Sequence, residues 1–143
     1  MAPTWQETVV PDMLDNDIIP FWNALKKREF HLCRCTRCGT DYWPMALCPK
    51  HEDIGFDEMQ WTPTSGRGKI FAWEVVHRAK NAIFQAECPY VLVLVELEEG
   101  PIFPTRLAGE RPEGLRVGMP VEVVYEVVPA TGMTLPLFRI TDE

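Results

Sequence analysis

No stretch of this 143-residue chain is long and apolar enough to cross a bilayer. The longest run, residues 90–95, falls far short of the ~20 residues that a spanning helix needs. The opening residues, Met1-Ala2-Pro3-Thr4-Trp5-Gln6-Glu7, have no basic start followed by an apolar stretch. No signal peptide is expected, and the expected location is the cytoplasm, where reducing conditions keep thiols free. Positive charge is also in short supply. The net charge is −7, with 21 acidic against 14 basic side chains, which argues against a protein built to neutralise nucleic-acid phosphates. Histidine is scarce: there are 3, His31, His51 and His77, and none forms an acid–base or nucleophile–base pair of defined spacing. Independent catalysis is therefore not expected. Internal repeats and low-complexity tracts are missing too.

What the chain does have is enough apolar material for a packed core, 46% of its residues, and 13 prolines, which point to short elements separated by sharp turns. Residues 1–15 show no period and read as an extended arm. Residues 18–28 read as a short amphipathic helix. Asp17 can cap it, and Pro20 is tolerated in a first turn. Phe21, Trp22 and Leu25 share one face, and Lys26, Lys27 and Arg28 place positive charge near the C-terminal end. Residues 30–61 have little regular period. Beyond Trp61 the pattern is β: a turn at Ser65-Gly66-Arg67-Gly68, then strands over residues 69–78, 90–97, 102–107, 121–128 and 135–140. The second of these is apolar on both faces and reads as central, and Pro104 marks the third as an edge or a bulge. Strands of this number and order, with few helical interruptions, suit the small Greek-key barrel called the OB-fold; a small β-sandwich is the alternative. The expected organisation is mainly β: arm and helix over 1–30, a metal ribbon over 31–62 and a five-stranded barrel over 63–143.

The strongest chemical signal lies in the ribbon. Cys35-Thr36-Arg37-Cys38-Gly39 and Cys48-Pro49-Lys50-His51 are two metal knuckles. Two ligands separated by two residues can grip one ion while backbone N–H groups of the turn point at the first sulfur, and Gly39 allows the positive φ such a turn needs. Two knuckles facing each other give tetrahedral coordination by three sulfurs and one nitrogen, which suits zinc. Four protein ligands close the shell, so the ion is expected to be structural. Cys33 is the rival fourth ligand but reads better as a buried strand residue, and Cys88 as a free thiol.

The order Phe21-Trp22-Asn23-Ala24-Leu25, Leu32-Cys33-Arg34-Cys35-Thr36-Arg37-Cys38-Gly39, Trp43-Pro44, Cys48-Pro49, Ser65-Gly66-Arg67-Gly68-Lys69-Ile70, Val75-Val76-His77-Arg78 and Pro89-Tyr90-Val91 resembles the zinc-ribbon/OB-fold accessory proteins of thiolase-like acyl-CoA enzymes. That resemblance implies an N-terminal helix, a rubredoxin-like zinc ribbon and a C-terminal OB-fold. It implies a non-catalytic subunit that stabilises a thiolase-like partner, for example a thiolase of the benzoylsuccinyl-CoA type, and helps form the passage for coenzyme A. A heterotetramer of two subunits of each kind is the natural assembly. The family's last ligand is usually cysteine, where this chain has His51.

On this reading Arg67, Lys69, His77, Arg78 and Lys80 are candidate contacts for CoA phosphates; ion pairing with the many carboxylates is the competing explanation. Phe21, Trp22 and Trp43, with Phe30 and Tyr42, divide between the ribbon's own core and a partner interface. The alternative function is single-stranded nucleic-acid binding, in which Phe71, Trp73 and Phe84 would stack on bases.

Overall fold

The computed structural model describes residues 17–80, 82–129 and 131–141, and the arm expected over residues 1–15 lies outside them. The first helix, α1 (Ile19–Lys26), has Pro20 in its opening turn and buries Phe21, Ala24 and Leu25. Its N-cap is Ile18, with no side-chain cap, so the expected Asp17 cap does not form. The helix is also shorter than the expected 18–28, because Arg28 adopts φ 60 and Glu29 N–H turns back to the Ala24 carbonyl.

Three strands follow in the ribbon: β1 (His31–Cys35), β2 (Asp41–Tyr42) and β3 (Met59–Pro63), the last entered through a 3-10 turn at Phe56–Glu58. They form an antiparallel sheet in the order β2-β1-β3. The second sheet comprises β4 (Arg67–Val76), β5 (Tyr90–Leu97), β6 (Ile102–Arg106), β7 (Pro120–Val127) and β8 (Thr134–Ile140), in the order β6-β5-β4-β7-β8. A one-turn helix, α2 (Ala82–Gln85), lies in the connection between β4 and β5. The sheet curls until its two edges meet. Leu107 bridges Phe138 in parallel, Ala108 N–H donates to the Phe138 carbonyl at 2.8 Å, and the Thr105 hydroxyl donates to the Pro136 carbonyl at 2.6 Å. The result is a nearly closed five-stranded barrel in which the first strand is central and the third and fifth meet in parallel, the OB order.

Two local features make the closure possible. A register shift between Ile70 and Ala72 lets β4 bend from β7 on one side to β5 on the other. At Gly68 the backbone of β5 comes so close that a Cβ would lie 2.3 Å from the Glu96 carbonyl oxygen. Only glycine fits there.

Strand β5 departs from its expected two-sided burial. Val91, Val93, Val95 and Leu97 point inward, while Leu92 and Leu94 are 44% and 38% exposed. The strand is flanked by β4 and β6, but a single-layer barrel leaves its outer face uncovered. Pro104 lies in β6, at the sheet edge, where the lack of an N–H is harmless.

One core joins the parts. Phe21, Leu25, Phe30 and Leu32 pack with Ile70, Val93, Val95, Phe103, Val121 and Phe138. The Phe30 ring meets Phe103 edge-on at 5.0 Å and Phe138 at 5.9 Å. A smaller cluster of Cys33, Cys35, Cys48, Ile54 and Met59 lies under the ribbon.

Candidate metal centre

The ribbon sheet fixes the first knuckle at the end of β1 and the second in the loop between β2 and β3. Gly39, at φ 76, turns the first knuckle so that its N–H donates to the Cys35 carbonyl at 2.8 Å. The N–H groups of Arg37 and Cys38 point at the Cys35 sulfur. In the second knuckle His51 N–H reaches the Cys48 carbonyl at 3.3 Å.

These turns bring Cys35, Cys38, Cys48 and His51 together, with all four ligand atoms within 4.8 Å of one another. The Cys38 and Cys48 sulfurs are 3.8 Å apart, the separation expected of two thiolates about 2.3 Å from a shared tetrahedral ion. His51 Nε2 is buried with no hydrogen-bond partner among the described residues. A buried imidazole nitrogen left open beside three sulfurs fits a metal ligand, because an unsatisfied polar atom is otherwise costly. The four side chains could thus hold a metal ion. Cys33 is not among them: it is fully buried in β1, where burial pushes its thiol up.

The surroundings differentiate the sulfurs. Thr40 Oγ1 lies 3.2 Å from Cys38 Sγ, and this contact is the main reason the Cys38 thiol falls to about 6. Burial pushes the Cys35 thiol up. The Tyr42 hydroxyl lies 3.1 Å from Cys48 Sγ, which pushes the phenol up to about 12. Lys50 Nζ donates to Thr40 Oγ1 at 2.8 Å, adding a cation beside the cluster.

A clamp that no sequence motif announced ties the knuckles together. Arg37 donates through Nε and a terminal nitrogen to both Glu58 oxygens at 2.7 and 2.9 Å, and through its other terminal nitrogen to Asp53 at 2.8 Å. Arg37 holds both carboxyls below their ordinary range. Glu58 also accepts from Gly55 N–H at 3.0 Å, and its carbonyl receives the Thr36 backbone and hydroxyl. The first knuckle, the second and the start of β3 are thereby one unit.

The other expected site residues are dispersed. Arg67 and Lys69 begin β4, whereas His77, Arg78 and Lys80 follow its end, roughly 30 Å away along the strand. Arg67 pairs with Glu98 at 3.3 Å. Phe21, expected in part at a partner interface, is completely buried and touches Trp22, Phe30, Trp43, Trp61 and Phe103, so it has no surface to offer. Trp22 and Trp43 are half-buried beside a groove that also exposes Leu47 and Phe56. Phe71 and Trp73 are exposed on β4, and Phe84 is half-buried in α2.

A ribbon with a three-cysteine, one-histidine cluster, fused through a common core to an OB barrel, defines the class of protein. Residues 61–126 match the family model "ChsH2, C-terminal OB-fold domain". The chain is 34% identical over 121 residues to a DUF35 domain-containing scaffold protein of Methanocaldococcus jannaschii, covering 82% of this chain and 83% of that protein. It is 36% identical over 121 residues to a probable enoyl-CoA hydratase alpha subunit of Thermomonospora curvata, covering 83% of this chain but only 36% of that subunit. Among solved structures, a chain of the Ltp2-ChsH2(DUF35) aldolase superposes with a TM-score of 0.76 at 30% identity, covering 91% of this chain and 98% of that one. This chain belongs to the DUF35 family of scaffold proteins.

Proposed function

We propose that this chain is a non-catalytic accessory subunit of an acyl-CoA enzyme, thiolase-like in its partner and assembled as a heterotetramer. The observation that carries this reading is the likeness, over nearly its whole length, to a chain of an aldolase assembly. The hydratase alpha subunit points to the same class of chemistry, but the match covers only 36% of that protein, so hydration is not carried over. Within this reading the parts 31–62 and 63–143 act as metal ribbon and OB barrel, and Cys35, Cys38, Cys48 and His51 hold a structural zinc ion. The ion would cross-link two knuckles that otherwise depend on one small cluster and the Arg37 clamp.

The partner would cover the groove beside Trp22 and Trp43, where Leu47 and Phe56 are 40% and 57% exposed. Apolar and aromatic side chains of this kind anchor interfaces. Coenzyme contact falls to two groups, Arg67 and Lys69 at the start of β4 and His77, Arg78 and Lys80 after its end. Co-expression with a thiolase-like acyl-CoA enzyme of the same organism tests the assignment. The two should co-purify in a fixed ratio, and the subunit alone should self-associate. A monomer that stays soluble and ignores the enzyme would sink the reading.

A further inference from the structure

One sulfur of the metal cluster differs from the other two in its access to solvent. Cys35 and Cys48 are 0% and 1% exposed, whereas Cys38 lies at the surface. That sulfur has a relay of its own. Lys50 Nζ lies 2.8 Å from Thr40 Oγ1, and Thr40 Oγ1 lies 3.2 Å from Cys38 Sγ. An ammonium group can only donate, so the Thr40 oxygen accepts from Lys50 and its single hydrogen is left for the sulfur. A metal-bound thiolate carries no hydrogen and can only accept. Both bonds therefore run one way, from Lys50 to Thr40 to Cys38. The relay also spans the two knuckles, because Cys38 belongs to the first and Lys50 to the second.

Charge explains what such a relay does. Three thiolates and a neutral imidazole around a divalent ion leave one net negative charge, and it resides on the sulfurs. Thiolate charge is what makes a cysteine nucleophilic. Arg37, inside the first knuckle, is committed to Asp53 and Glu58. Among the described residues Lys50 enters no ion pair, so its charge acts on the cluster. Hydrogen bonds to an ionised acceptor are strong, and a chain of them polarises each member, so the Thr40 hydroxyl donates more strongly with Lys50 behind it. The effect is to draw electron density away from the one sulfur that solutes can reach.

We propose that Cys38 is a modification site for soft carbon electrophiles, and that Lys50, acting through Thr40, holds its reactivity down. The inference rests on the zinc reading above. Attack by the sulfur forms a carbon–sulfur bond and expels the leaving group with its electron pair. No proton is released, and the product is a neutral thioether that has lost the charge by which it held the ion. The test is treatment of the full zinc-loaded chain, in a Cys88→Ser background, with iodoacetamide. A chromophoric chelator reads the released zinc, and peptide mass spectrometry reads the alkylated residue. The first alkyl group should appear on Cys38, in step with loss of the metal. Thr40→Val should speed both about tenfold, Lys50→Met should speed them by a smaller factor, and Thr40→Ser should keep the wild-type rate. With cobalt in place of zinc, Thr40→Val should also move the sulfur-to-metal charge-transfer bands to lower energy, a change that a merely loosened ribbon does not produce. First alkylation at Cys35 or Cys48 would overturn the site. Unchanged rates in Thr40→Val and Lys50→Met, or a faster rate in Thr40→Ser equal to that of Thr40→Val, would overturn the relay. A chain that takes up no zinc would sink the zinc reading and this inference together, whereas zinc uptake followed by any of the other failures counts against the inference alone.

Discussion

At the scale of single residues, the cluster separates ligands from the groups that hold them in place. Replacing Cys38 with serine removes a sulfur from a set whose atoms all lie within 4.8 Å. Metal and solubility should be lost together, against about one zinc per chain in the wild type, as read by metal analysis of the purified proteins. Tyr42→Phe is the subtler change. It keeps every ligand and removes only the hydroxyl beside Cys48. Outer-shell hydrogen bonds of this kind tune a site without making it, so zinc affinity should fall about tenfold in a chelator competition while the fold remains. The cluster was readable in the sequence because a knuckle is local chemistry: two donors, two intervening residues and a glycine. Tyr42, Asp53 and Glu58 were not. Glu58 reaches Arg37 only because β1 pairs with β3, which brings residues 21 positions apart in the chain into contact.

At the scale of elements, the legible strands were those with one buried face. The strand β7 alternates as expected, with Val121, Val123 and Tyr125 facing the core. Strand β1 hid itself because both of its faces are covered. Leu32 turns to the barrel core while Cys33 and Cys35 join the smaller cluster of the ribbon, so no period of two is visible. The extent of β4 and its bend were also obscure, since they depend on a register shift that only the two neighbouring strands impose. Gly68 marks that contact. Gly68→Ala would force a methyl group to within 2.3 Å of the Glu96 carbonyl oxygen in the absence of movement. The ladder between β4 and β5 would have to open, at a cost of about 1–3 kcal/mol. Thermal denaturation should show the loss, while Gly109→Ala, at a position where a Cβ meets nothing, should cost less and only through its φ of 74.

At the scale of the whole molecule, the division into helix, ribbon and barrel follows the sequence but not the core. An OB barrel needs a plug at its open end, and here the plug comes from the N-terminal side of the chain. Phe21 and Phe30 are 0% and 2% exposed, and both touch Phe103, at 6.1 and 5.0 Å. Phe30 further reaches Phe138, beside the bridge that brings β6 and β8 together. Barrel closure and helix docking are thus the same event. Phe21→Ala should cost about 3–5 kcal/mol and lower the cooperative melting of the entire chain, ribbon included. A fragment spanning residues 63–143 lacks both phenylalanines, leaving Phe103 and Phe138 facing water with nothing in the fragment to replace them. It should aggregate or show the broad, weak transition of a poorly packed barrel, and adding residues 17–62 in the same chain should restore a single sharp one. A fragment that melts as sharply as the full chain would show that the barrel closes without its plug, and that the N-terminal helix is an appendage rather than part of the core.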